Sequence, residues 1–329
     1  MMTSVLRFKY LFTTIFIGIG FFLWLSYPRV HEFTGASFGT YYKVIVVSSK
    51  FSINSSKLSN RIQSRLEELD SLFSTYRSDS ELMRLNNAPI EQNIQLNSEV
   101  VSLLKVSQKW HVLMGGVWDP TIVPVSQSFG FTSSITPNNY QIGFQHLKVI
   151  DNNTVNKNKN ISIDLSSIAK GYAVDQLFKL ISQYKVKGSY IDIGGEIRTS
   201  GHRPDSRPWG IGIQSPVNGR DLFQVIYVND ISIATSGNYI NFKNHNQQKV
   251  GHILNPVSKT LINHNLLSVS VIADECAIAD ALATGLFVMG VAQAEAWLSK
   301  NYFPVMLVFE ENNQLKTKYF NNFDHYLQN

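Results

Sequence analysis

The sequence predicts an α+β fold: mixed or antiparallel sheets packed with helices, preceded by one N-terminal membrane anchor helix. Three observations carry that expectation. Helical periodicity is concentrated early, over residues 58–73 and 98–114. β-Branched and aromatic runs cluster late, without the regular strand–helix alternation that builds a doubly wound parallel sheet. Residues 11–25 form a charge-free apolar run behind Arg7 and Lys9.

That run is short for a membrane span, which takes about 20 residues, although Tyr10 and Tyr27 can extend it into both interfaces. Positive charge before the run keeps the N-terminus in the cytoplasm and sends the body outward. Leu25-Ser-Tyr-Pro-Arg29 is a poor cleavage site, and no cysteine follows to take a lipid. The expected layout is an uncleaved anchor over 1–27, a linker over 28–37 and one folded body over 38–329.

Taken in order, residues 40–48 are a strand by composition, behind a turn at Phe38-Gly39. Leu58, Ile62, Leu66, Leu69, Leu72 and Phe73 mark an amphipathic helix. Tyr76 follows among small polar residues, as a stacking group for a planar ligand or as a half-buried core tyrosine. Asp79 or Ser80 can cap a further short helix. A second amphipathic helix over 98–114 stops at Gly115-Gly116. Val117-Trp118-Asp119-Pro120-Thr121 reads as a loop, because Pro120 and Pro124 argue against a central strand.

Residues 136–140 and 151–160 are Asn-rich and read as surface loops. Ile161 to Asp164 reads as a strand, followed at once by a helix that carries Lys170. Helix N-termini favour anions, so Lys170 there can meet a phosphate; a capping Asp and a surface Lys are the plainer reading. Residues 189–193, 209–214, 222–228, 231–234 and 266–273 are strands, and 302–310 with 314–319 form a closing hairpin.

Composition removes several function classes. Hydrophobic residues are 44% and charged residues 16% of the chain, which suits a folded body with a sizeable core. The formal charge is +5, and Arg7, Lys9 and Arg29 leave only +2 for the remainder. No basic stripe with interleaved aromatics exists, so nucleic acid is not expected as a partner. Cys276 is the single cysteine, which excludes an intrachain disulfide and a Cys-based zinc site.

The last strand leads into residues 274–290, apolar on almost every face of a helical wheel, with Asp274 as N-cap and Gly290 as stop. Asp280 and Thr284 interrupt it four residues apart, on one face. A buried carboxylate is costly unless paired. A bound cation, with the Thr hydroxyl as a second oxygen ligand, satisfies it. So does an Asp that caps neighbouring backbone, beside a Thr bonded to its own helix.

In chain order, further motifs accompany this helix: Ser74-Thr-Tyr-Arg-Ser-Asp-Ser-Glu-Leu, Gly116-Val-Trp-Asp-Pro-Thr, and Ile163-Asp-Leu-Ser-Ser-Ile-Ala-Lys-Gly-Tyr-Ala-Val-Asp175. Asp192-Ile-Gly-Gly-Glu-Ile-Arg, Ala234-Thr-Ser-Gly-Asn-Tyr, His252-Ile-Leu-Asn-Pro and Ala279-Asp-Ala-Leu-Ala-Thr complete the set. Together they resemble the ApbE family of FAD:protein FMN transferases, over about residues 37–310. The resemblance implies an ApbE-like, T-fold-related architecture. It implies an enzyme that cleaves FAD, joins FMN through a phosphoester to a Thr or Ser hydroxyl of an exported protein, and releases AMP.

A divalent ion, usually Mg2+, goes with that activity, and the matching positions are Asp280, Thr284, and backbone oxygens of Ala283 and Ser167. For FAD the matching positions are Phe38, Tyr76, Val117, Trp118, Asp119, Asp164, Lys170 and Leu254. His252 is the candidate for proton transfer, and Lys170 with Asp280 would offset phosphate charge. Implied partners are FAD, an exported flavin acceptor such as a respiratory redox-pump subunit, and the inner membrane, with the catalytic body on its periplasmic side. A metal-dependent FAD pyrophosphatase is the alternative enzyme, and a flavin-binding protein without turnover the non-enzymatic one. Two departures stand out. Asn255 replaces the usual Asp, which removes a base there but keeps a turn-forming acceptor. Phe38 stands where Met is frequent.

Overall fold

A computed structural model describes residues 27–49, 53–131, 139–217, 221–238, 242–245 and 248–328. The expected anchor, residues 1–27, lies outside this set except for Tyr27, as do residues 136–138 of the first expected loop and Tyr239 of the Ala234 motif.

The backbone of the fold is an eight-stranded sheet. Its strands are β1 (Arg29–Ser37), β2 (Thr40–Ser48), β6 (Val186–Ile193), β7 (Glu196–Gly201), β10 (Ser232–Gly237), β15 (Leu266–Ala273), β16 (Val305–Glu311) and β17 (Gln314–Phe320), in that spatial order. Every neighbouring pair is antiparallel. Three short strands make a separate small sheet: β3 (Asn93–Gln95), β4 (Leu147–Val149) and β5 (Thr154–Lys157). The hairpin of β8 (Trp209–Gln214) and β9 (Leu222–Val228) is a third unit, and β11 (Phe242–His245) with β12 (Gln248–Gly251) and β13 (Leu254–Asn255) with β14 (Thr260–Leu261) form two short antiparallel pairs.

The helices are α1 (Ser55–Phe73), α2 (Glu81–Asn86), α3 (Ser98–Leu113), α4 (Val123–Ser128), α5 (Ser166–Ser182) and α6 (Cys276–Leu298). Asn54, Ser80 and Asn97 cap α1, α2 and α3, each accepting a backbone N–H. One face of the large sheet packs on the helices through Val44, Val46, Ile191, Val269 and Val271. Its opposite face packs on the β8–β9 hairpin through Ile197, Ile233, Trp209, Ile211 and Ile226. Period-2 alternation along each strand thus feeds two cores. This is an α+β arrangement with helices on one face of an antiparallel sheet.

Several segments differ from the sequence-based expectation. Residues 28–37, expected as a linker, are β1, paired from Arg29↔Ser48 to Ser37↔Thr40. The turn between them places Phe38 and Gly39 at φ 52° and 71°, the left-handed geometry that matches hairpin twist. As an edge strand β1 tolerates the Arg, Glu and Thr that made it look like linker. Residues 154–157, expected in a loop, are β5, held between β3 and β4. Ile161 to Asp164, expected as a strand, has no ladder partner among the described residues. Asn86 clamps it instead, donating to Ile163 O and accepting from Ile163 N, both at 2.8 Å. β7 directly follows Gly194-Gly195 and was not anticipated.

Helix α6 departs at its start. Glu275, not Asp274, is its N-cap, and it makes no side-chain capping bond. The orphan N–H groups of Cys276 and Ala277 donate instead to the two oxygens of Asp175 on α5, at 3.0 Å each, and Asp175 also pairs with Arg198. Gly290 breaks the helix as expected, with a non-helical φ of 71° and ψ of 176°, and a second helical stretch continues beyond this kink to Leu298. His264 Nε2 reaches the Phe287 carbonyl at 2.8 Å, next to the break. Among the described residues α6 is the one helix long and apolar enough to cross a membrane, but most of it is buried in the protein core.

Helices α5 and α6 cross closely because Gly171 has no side chain: a Cβ there would sit 2.3 Å from Cys276 O. Gly171→Ala is therefore expected to destabilise the fold by about 3 kcal/mol through overpacking. Chemical denaturation of the two proteins measures it.

A charged constellation between α5, β7 and α6

The closest α5–α6 contact places charged groups together. Lys170 Nζ lies 2.7 Å from Glu196 Oε1 and 3.8 Å from Asp280 Oδ2. Gly171 N–H donates to Asp280 Oδ2 at 3.1 Å. The Glu196 and Asp280 side chains are only 6% and 4% exposed, while Lys170 is 26% exposed. Burial raises both carboxyls above their ordinary range, against the pull of the Lys170 ammonium. Burial works to lower Lys170, but Asp280 and Glu196 outweigh it and hold the ammonium above its usual range. When both carboxyls are ionised, one ammonium leaves a surplus negative charge between them. Glu196 Oε2 is buried with no hydrogen-bond partner among the described residues.

The start of α5 joins this group to the loop after α3. Trp118 Nε1 donates to Ser167 Oγ at 3.0 Å. Asp119 Oδ1 accepts from Thr121 N at 2.8 Å and Thr121 Oγ1 at 2.6 Å, so its other oxygen faces His111 Nδ1 at 3.7 Å. Asp164 N donates to Pro120 O, and Asp164 Oδ1 accepts from Ser166 N, both at 2.8 Å. Burial raises the Asp164 carboxyl above its ordinary range.

Beneath Asp164 lies a support that the sequence did not advertise. The fully buried Lys157 donates to Asn86 O at 2.9 Å, and Asn86 in turn fixes Ile163. Burial lowers Lys157 from 10.5 to about 8. The unfolded chain therefore binds a proton that the folded one has released, so stability rises with pH between about 8 and 10.5 and is lost as pH falls through 8. The full effect is about 3 kcal/mol, and Lys157→Met is expected to flatten it in urea titrations across that window.

One turn along α6 from Asp280, Thr284 Oγ1 lies 3.0 Å from Ser236 Oγ on β10. Asn238, just past β10, accepts from Ile253 N at 3.1 Å and so ties the His252–Leu254 segment to the sheet. Asn255 Oδ1 accepts from Val257 N and Ser258 N, at 2.9 and 3.0 Å, forming a turn.

The structure thus links Trp118, Ser167, Lys170, Asp280 and Thr284 through α5 and α6, with Ala283 buried beside Thr284. Asp119 and Asp164 adjoin them through the Pro120 contact. Phe38 and Val117 pack against the main core from its rim, and Leu254 is buried. Two candidates lie at the surface: Tyr76 is 90% exposed, and His252 is exposed. Trp118 is only 2% exposed, so its ring face is not open for a ligand to stack on.

Known proteins resemble this chain in sequence and fold. The sequence profile of the ApbE family matches residues 38–307. The chain belongs to the ApbE family. A Vibrio cholerae protein named FAD:protein FMN transferase is 32% identical over 301 residues, spanning 88% of this chain and 90% of that one. A Haemophilus influenzae protein of the same name is 31% identical over 309 residues, spanning 88% and 89%. The solved structure of flavin transferase ApbE from Vibrio cholerae superposes with a TM-score of 0.82 at 30% identity, covering 91% of this chain and all of that one. The apo form of the Pseudomonas stutzeri flavinyl transferase ApbE gives the same TM-score at 29% identity, covering 91% and 97%.

Within this ApbE chain two residues of the constellation had no role assigned from sequence. Glu196 was visible only as part of Gly-Gly-Glu, and Ser236 as part of Ala-Thr-Ser-Gly. The readable signal for Glu196 was Lys170 itself, which lies among apolar residues and so calls for a carboxylate from elsewhere in the chain. Two concavities lie elsewhere: about 630 Å3 along the outside of α1, and about 800 Å3 between β2, β6 and β8. Neither is lined by Lys170, Glu196 or Asp280.

Proposed function

We propose that this chain transfers the FMN half of FAD to a Thr or Ser hydroxyl of an exported protein, forming a phosphoester and releasing AMP, with a divalent ion. By family membership the chain is an enzyme of the flavin transferase type. The observation that carries the rest is the meeting of Lys170 with two buried carboxylates, Glu196 and Asp280, beside Thr284 and the start of α5.

That donor set fits Mg2+. Mg2+ uses few protein carboxylates and takes its other oxygens from water and phosphate. With Glu196 and Asp280 both ionised, the single Lys170 ammonium does not balance them, and a divalent cation would. Asp280 and Thr284 would hold it, with main-chain oxygens of Ala283 and Ser167. In an α-helix the N–H of Gly171 faces the carbonyl of Ser167; here that N–H donates to Asp280 Oδ2 at 3.1 Å. When bound, the ion supplies charge neutralisation at the phosphates.

The chain's own groups do the remainder. Lys170 binds a phosphate oxygen, while Phe38, Tyr76, Val117, Trp118, Asp119, Asp164 and Leu254 contact and orient FAD. The acceptor oxygen attacks the FMN phosphorus, the bond to AMP breaks, and AMP leaves with the bonding electrons. His252 takes the acceptor proton. Asn255 serves the turn that carries His252 rather than acting as a base. The body works on the periplasmic side of the inner membrane, held by the segment over 1–27, and meets there an acceptor such as a respiratory redox-pump subunit.

Removing divalent ions with EDTA is expected to stop turnover of FAD, and Mg2+ to restore it. His252→Gln is expected to lower the transfer rate by about 10²–10⁴-fold. An unchanged rate from pH 6 to 9 in that variant removes His252 from the mechanism.

A further inference from the structure

Glu196 touches Lys170 but has no assigned part in the site, and its geometry gives it one. The ammonium sits at hydrogen-bond distance from Glu196, 2.7 Å, and more than an ångström farther from Asp280, at 3.8 Å. Both contacts to Asp280, from Lys170 and from Gly171 N–H, run to Oδ2. Oδ1 is the atom left for a cation.

Lys170 and a divalent ion compete for the same carboxylate. A lysine that closed on Asp280 would neutralise it and occupy the ion's place. Glu196 provides a nearer acceptor, set on β7 just past the Gly194-Gly195 turn and 95% buried, so water does not weaken its attraction. Among the described residues its second oxygen has no partner that would draw the carboxylate away from Lys170.

We propose that Glu196 is a positioning residue that draws the Lys170 ammonium off Asp280 and so keeps Asp280 open to the divalent ion. The inference rests on the metal reading above and adds a residue to it. Glu196 need not touch the ion; it acts through Lys170, as outer partners commonly do at metal sites.

The test is Mn2+ binding to the full-length chain without FAD, followed by the spectroscopic signal of free Mn2+. Glu196→Gln keeps the size of the side chain and removes its charge. It is expected to weaken Mn2+ binding by about tenfold or more, the range of lost outer partners. Adding Lys170→Met to that variant removes the competitor and is expected to restore binding to near the wild-type level. A merely structural role for Glu196 would not give this recovery.

Wild-type affinity in Glu196→Gln overturns the proposal, and so does a double variant that stays weak. Should Glu196→Gln fail to fold, Lys170→Met alone decides: undiminished Mn2+ binding supports the proposal, and weakened binding overturns it. Absence of Mn2+ binding to the wild type is a different failure, since it removes the metal reading itself.

Discussion

Asp280→Asn is expected to lower flavin transfer by about a thousandfold, corresponding to about 4 kcal/mol of lost charge stabilisation. The side chain keeps its size, and its oxygen can still accept from Gly171 N–H. Lys170 keeps Glu196 as its close partner. The fold is therefore expected to hold, with stability changed by no more than about 1–2 kcal/mol, because one like-charged neighbour of Glu196 is also removed. Urea unfolding and the rate of FMN transfer, measured on the same preparation, separate the two effects. Retained Mg2+-dependent turnover in Asp280→Asn would remove Asp280 from the metal site.

Lys170→Met is expected to combine a catalytic and a stability effect. Transfer should fall by about 10²–10³-fold, the loss typical of one charged or hydrogen-bonding group at a developing oxyanion. Glu196 and Asp280 then face each other without an ammonium, and both carboxyls are already raised by burial. A raised carboxyl keeps in the folded state a proton that the unfolded chain has released. Its stability contribution is complete below the ordinary carboxylate range and is lost as pH rises above it. Removing the opposing ammonium deepens that loss. The variant should approach wild-type stability near pH 4 and fall progressively behind it toward pH 8, as urea titrations would record.

Much of this site was legible in the sequence because helices and strands carry period signals. The all-round apolar character of α6 announced a buried helix, and the spacing of Asp280 and Thr284 put them on one face. The capping residues Ser80 and Asn97 stand where a helix start needs them. Tertiary partners were not legible. The cap of α6 comes from Asp175, far away in the sequence, so the nearby Asp274 drew the expectation instead. Gly290 carries the signature of a stop, but a glycine at positive φ can also bend a helix that resumes. Strand β1 hid because an edge strand does not need apolar alternation along its whole length. Lys157 looked like one polar residue in an Asn-rich loop, and only the packed structure buries it under Asn86.

The hydroxyl that receives FMN distinguishes this reading from hydrolysis of FAD, because the two reactions share the cleaved bond. Mass spectrometry of an exported flavin-acceptor domain, co-expressed with this chain and recovered from the periplasm, tests it most directly. The account predicts one FMN in phosphoester linkage on a Thr or Ser of the acceptor, absent when the chain carries Asp280→Asn. An acceptor of unchanged mass, with FMN and AMP released free from FAD, would contradict it.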